Sequence, residues 1–127
     1  VYVKSRGTSA GFFKVRTANG AFLAYLYASA TGMLSVRNAA GNVTPVSTTP
    51  VSAGQWHKVE LSLDTNPGGP ISLWAAIDGT RVVFTTPVSG TETLGTTPIG
   101  QVVLGDTVSA RTYDIAVDDL SADTSVG

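Results

Sequence analysis

The chain has no cysteine, one histidine, one methionine and two glutamates in 127 residues. Without cysteine there is no disulfide, no thiolate nucleophile and no cysteine-ligated zinc site. One histidine cannot make a histidine cluster for a metal. Charge is scarce as well: 13% of residues are Asp, Glu, Lys or Arg, the formal net charge is −1, and no run carries one sign. A protein that neutralises phosphates needs a basic stripe, so nucleic acid is not an expected partner. No apolar run reaches transmembrane length, so membrane insertion is not expected either.

Catalytic signatures are equally sparse. Glycoside hydrolysis needs two carboxyl groups flanking the scissile bond, but Glu60 and Glu92 are far apart in sequence. No Gly-x-Ser-x-Gly elbow and no phosphate-cradling glycine loop occurs. His57 has no acid or base beside it in sequence to complete a proton relay. The chain is therefore expected to be non-catalytic.

What is present points to β-structure. Hydrophobic residues make up 43%, and Thr, Ser, Asn and Gly supply most of the polarity. The 14 glycines and six prolines break the chain at short intervals and leave little room for a helix. Alternation predicts strands at 1–4 (Val1-Tyr2-Val3-Lys4), 12–17, 21–28, 33–37, 55–64, 71–77, 81–85, 99–105 and 111–122, and a proline-bearing edge segment at 43–53. In 12–17, Phe13 and Val15 are expected on one face, and Phe12, Lys14 and Arg16 on the other. In 21–28, Phe22, Ala24 and Leu26 are expected on one face and Leu23, Tyr25 and Tyr27 on the other; neither face is polar, which marks a strand covered on both sides or lining a groove. Asn19-Gly20 and Asp78-Gly79 predict tight hairpin turns, of type I′ at the first. Asp118-Asp119 interrupts the last alternation and predicts a bulge. The whole reads as one antiparallel β-sandwich over 1–123, with a tail or linker start at 124–127.

Three segments carry a resemblance. Gly54-Gln55-Trp56-His57-Lys58-Val59 is similar to a "G-x-W-H-x-V" strand. Leu73-Trp74-Ala75-Ala76-Ile77-Asp78-Gly79 is similar to an "l-x-v-x-v-D-G" hairpin strand. The run from 99 to 105 followed by Tyr113-Asp114-Ile115-Ala116-Val117-Asp118-Asp119-Leu120 resembles an "i-x-l-G … i-D-D-v" ending. In that order they resemble the laminin-G-like, or concanavalin A-like, jelly-roll superfamily, in bacterial or phage-borne form. The resemblance implies a jelly-roll sandwich, with Trp56 packed in its core and further strands before Val1. It leaves Val1–Lys4 as a place where another chain adds a strand.

The candidate site residues follow from the alternation. Trp74, Tyr25 and Tyr27 lie opposite the inward aliphatic residues and are expected to form one aromatic, glycan-binding platform. Asp118 and Asp119 offer hard oxygen ligands for a structural calcium. The expected function is a non-catalytic binding module of a larger extracellular, cell-surface or virion protein, recognising a glycan. The alternative is a structural or assembly module without a small ligand: a phage capsid decoration or tail component, or a surface-filament subunit, whose partners are neighbouring subunits.

Overall fold

A computed structural model describes residues 1–38, 46–64, 72–82, 98–106 and 108–123. The sequence-predicted strand at 81–85, beyond Val82, and the loop around Pro67 lie outside them, as do the proposed tail and Glu92. Among the described residues there is no helix. Ten strands occur: β1 (Tyr2–Arg6), β2 (Ala10–Thr17), β3 (Phe22–Ala28), β4 (Met33–Asn38), β5 (Val46–Pro50), β6 (Val59–Asp64), β7 (Ser72–Ile77), β8 (Thr80–Arg81), β9 (Ile99–Leu104) and β10 (Tyr113–Ala116). Every ladder between them is antiparallel.

The largest sheet has the order β5-β4-β3-β2-β9, with β3 at its centre. The two-sidedly apolar sequence of β3 suits that place, since a central strand packs something on both faces. Two smaller sheets, β1-β10 and β6-β7-β8, complete the architecture. All three feed one core: Val3 from β1, Phe12 from β2, Leu26 from β3, Leu34 and Val36 from β4, and Ala75 and Ile77 from β7. Leu61, Leu63 and Ile115 pack against it from β6 and β10. The result is sandwich-like, with apolar inner faces held together by burial.

Two bulges change the predicted faces. Gly11 pairs with Tyr27 and Phe13 with Leu26, so Phe12 is an extra residue in β2. The bulge turns Phe12 into the core, fully buried, beside Phe13; both were expected on opposite faces. Likewise Val15 pairs with Ala24 and Arg16 with Phe22, which leaves Leu23 unpaired and packed on Val15. A bulge inserts one residue and resets which side chains point inward.

The two turns differ. Asp78 and Gly79 both have positive φ, 51° and 78°, as a type I′ turn requires. At the first hairpin only Gly20 is left-handed (φ 88°), and its N–H bonds the Thr17 carbonyl at 3.0 Å. That is a turn closed by a left-handed glycine, not the expected I′ geometry.

Three further expectations are corrected. Trp56 is 55% exposed. The strand begins only at Val59, and Trp56 instead bridges Tyr2, with the two rings tilted at 58° and 5.6 Å apart. Its neighbour His57 takes the inward position. At Tyr2 and Val3 the edge expected to receive an added strand is already occupied among the described residues. Tyr2 and Val3 pair with Ala116 and Ile115 on one side and bridge Trp56 and Ala53 on the other. Finally, β10 ends at Ala116, so Asp118 and Asp119 lie beyond the strand rather than in a bulge within it.

Candidate functional site

The sequence-predicted aromatic residues divide between two surfaces. Ala24, Leu26 and Ala28 of β3 share the core with Ala75 and Ile77 of β7. Residues alternating with them point away from it, so Tyr25 and Tyr27 stand on the outer face of the large sheet, and Trp74 stands on the outer face of the small one. The structure therefore brings Tyr25 and Tyr27 together and leaves Trp74 on the opposite side. Trp74 is half-buried, with the Arg81 guanidinium 5.6 Å from its ring centre.

Tyr25 and Tyr27 are stacked, centroids 4.9 Å apart and planes within 11°. Offset parallel stacking at this separation is favourable for aromatic rings. Pairing sets what surrounds them. Along one row, Lys14 of β2 and Arg37 of β4 flank Tyr25. Along the next, Gly11 and Ser35 flank Tyr27 with almost no side-chain bulk. Gly11 is also required beneath Tyr25, because a Cβ there would overlap the phenol oxygen and the Cβ of Asp106.

Asp106, just past β9, fixes this cluster. Its carboxylate is fully buried. Oδ1 accepts from Lys14 Nζ at 2.9 Å and from the Val108 N–H at 3.0 Å. Oδ2 accepts from the Tyr25 hydroxyl at 2.5 Å and from Arg111 Nη1 at 3.0 Å. The Asp106 N–H donates to the Tyr113 hydroxyl at 2.9 Å. Burial pushes the Asp106 carboxyl upward, but Tyr25, Lys14, the Val108 amide and Arg111 together outweigh it and hold the group below the usual carboxylate range. Burial, and then the bond to Asp106, pushes the Tyr25 phenol well above its ordinary value, so it stays a neutral donor. The Tyr25 ring also lies near both cations, 5.1 Å from Lys14 Nζ and 5.9 Å from the Arg111 guanidinium.

A second polar cluster centres on buried His57. Its Nδ1 bonds Asp78 Oδ2 at 2.8 Å, and Asp78 Oδ1 accepts the Lys58 N–H at 2.9 Å. The bond from His57 is the leading reason that the Asp78 carboxyl is lowered. Nε2 faces the Ser52 carbonyl and the Gln55 amide, each at 3.2 Å, rather than a hydroxyl. The His57 N–H also donates to the Val1 carbonyl at 2.8 Å. This cluster ties the β7–β8 turn to the segment beside β1. Sequence reading found no partner for His57 because Asp78 lies 21 positions away.

Asp118 and Asp119 are exposed, and the Asp118 carboxylate accepts the Asp119 N–H at 2.9 Å. Among the described residues no group of three or more His, Asp or Glu side chains is placed to hold a metal. Asp78, Asp106 and Asp114 do not converge either. Asp78 bonds His57, Asp106 sits in the tyrosine cluster, and Asp114 meets Lys4 at 3.5 Å.

Sequence reading missed Lys14, Asp106, Arg111 and Gly11. The available signals were slight: a lysine within an apolar strand, and Gly105-Asp106 directly after another. Comparison with protein-family models, curated proteins and solved structures returns no match for this chain.

Proposed function

We propose that the chain is a non-catalytic, glycan-binding sandwich module of jelly-roll type, part of a larger protein displayed outside the cell or on a virion. The jelly-roll reading is supported by the nested pairing of early with late strands, β1 with β10 and β2 with β9. The observation that carries the function is the Tyr25–Tyr27 stack. Sugar recognition favours an aromatic surface that is already rigid, with polar groups at its rim. Tyr25 is locked through Asp106, and it in turn backs the half-buried ring of Tyr27, which lies between small neighbours.

The test is a pull-down on a panel of insoluble polysaccharides. Binding is expected, is lost in Tyr27→Ala with the melting temperature kept, and survives Trp74→Ala. A protein that binds no glycan overturns the function. Binding lost only in Trp74→Ala moves the site to the other sheet.

A specific observation also favours the assembly reading. On β9, Ile99, Val102 and Leu104 are 41%, 43% and 46% exposed. Val102 and Leu104 stand opposite Val15 and Phe13, so they continue the inner, apolar side of the sheet out to its edge. A second copy of the chain is the occupant that this reading places there.

A further inference from the structure

Basic side chains are not spread evenly over the molecule. Lys14, Arg16 and Arg37 all alternate with core residues, respectively Val15 between the first two and Val36 beside the third, and so share the outer face of the large sheet with the tyrosines. Arg111 reaches the same face through Asp106 and Tyr25. Four of the chain's eight basic residues thus share one face, two of them on the Asp106 carboxylate, in a protein whose formal net charge is −1. The other cations lie elsewhere: Lys4 meets Asp114, Lys58 meets Glu60, Arg81 lies over Trp74, and Arg6 bonds the Val51 carbonyl.

Among the described residues neither Arg16 nor Arg37 pairs with a carboxylate, and Arg16 Nε has no hydrogen-bond partner. Arg37 is exposed. It stands two strands from Arg16, which is roughly 10 Å across the sheet and about 7 Å along it. The positions on offer are arginines, whose planar fork matches a carboxylate. Asp106 shows the same chemistry on this face, a carboxylate held by a guanidinium, an ammonium and a phenol beside a stacked ring.

We propose that the ligand of this face is an acidic polysaccharide whose uronate carboxylates pair with Arg37 and Arg16 while its sugar rings lie against Tyr27. This rests on the glycan reading above and narrows it to one charge class. A flexible polyanion spanning both arginines gains from each contact, and a sheet face with net positive charge steers it there.

The experiment compares polygalacturonate with its fully methyl-esterified form, which keeps the backbone and removes the charge. Affinity is read by calorimetry at low and high sodium chloride. Polygalacturonate is expected to bind at least about tenfold more tightly than the ester and to weaken at high salt, because screening shortens the reach of exposed charges. Arg37→Ala is expected to weaken it about tenfold, the loss of one charge-assisted hydrogen bond, with an unchanged melting temperature. Equal, salt-insensitive binding of both forms overturns the charge inference and leaves glycan recognition standing. So does binding of neutral polysaccharides alone. Binding of dextran sulfate without polygalacturonate overturns the carboxylate assignment. If nothing in either panel binds, both readings fall.

Discussion

Asp106 is the residue on which the outer tyrosine face depends. A buried carboxylate is costly unless every lone pair is answered, and here four donors answer it. Asp106→Asn keeps the size but removes the charge that Lys14 and Arg111 face, leaving two cations crowded in a poorly solvated site. A loss of about 3–5 kcal/mol is expected, the range for breaking a buried pair from one side. Tyr25→Phe removes a single hydroxyl donor to a charged group and is expected to cost about 1.5–3 kcal/mol. Urea unfolding of the two variants measures both. An Asp106→Asn protein as stable as the parent would mean that the network is not what holds the loop after β9. None of this was legible locally. Asp106 and Lys14 are 92 positions apart, and strand alternation predicts which face a lysine takes, not what it meets there.

At the scale of the element, alternation was readable wherever a strand was regular. In β7 it placed Ala75 and Ile77 inward and Trp74 outward, as observed. In β6, Val59, Leu61 and Leu63 alternate with Lys58, Glu60 and Ser62, and the three apolar residues are the ones packed against the core. Alternation failed at Phe12 and Leu23, because a bulge leaves no residue-type signature and shifts the parity of the residues beyond it. Trp56 is a different case. Its expected core position rests on the resemblance, whereas the inward parity of Val59, Leu61 and Leu63, carried back, turns His57 inward and Trp56 outward, as observed, and the backbone there bridges β1. Alternation grouped Trp74 with the tyrosines because both are outward, although it does not say which sheet an outward face belongs to.

The edge strand β9 carries a prediction of its own. Among the described residues its ladder partner is β2, and its apolar side chains are half in water. Unprotected apolar edges recruit further strands. Concentration-dependent association is therefore expected in sedimentation velocity. Val102→Lys places a charge on that edge and is expected to return the protein to monomer. A parent protein that stays monomeric at high concentration removes the support for an assembly role.

For the whole molecule, the two polar clusters set how stability depends on pH. The carboxyls of Asp106 and Asp78 are both held below their ordinary range in the folded state, Asp106 against its own burial and Asp78 chiefly by His57. The unfolded chain therefore binds protons first as pH falls. The stability that these groups contribute is complete above their unfolded value, about 4, and is lost as pH drops through the lower folded values. The Tyr25 phenol runs the other way. Its folded value is raised by burial and by Asp106, so its contribution is complete below the unfolded value of about 10 and is lost as pH rises beyond it. A stability plateau from about pH 5 to 9 is expected, with a fall on each side. Melting curves across that span in Asp106→Asn separate the clusters. The acid limb should become shallower, since the residue no longer titrates, while the share from Asp78 remains. An acid limb as steep as the parent's would assign it to His57–Asp78 and to surface carboxylates. It would also show that the buried carboxylate under the tyrosines contributes nothing to the pH response of the fold.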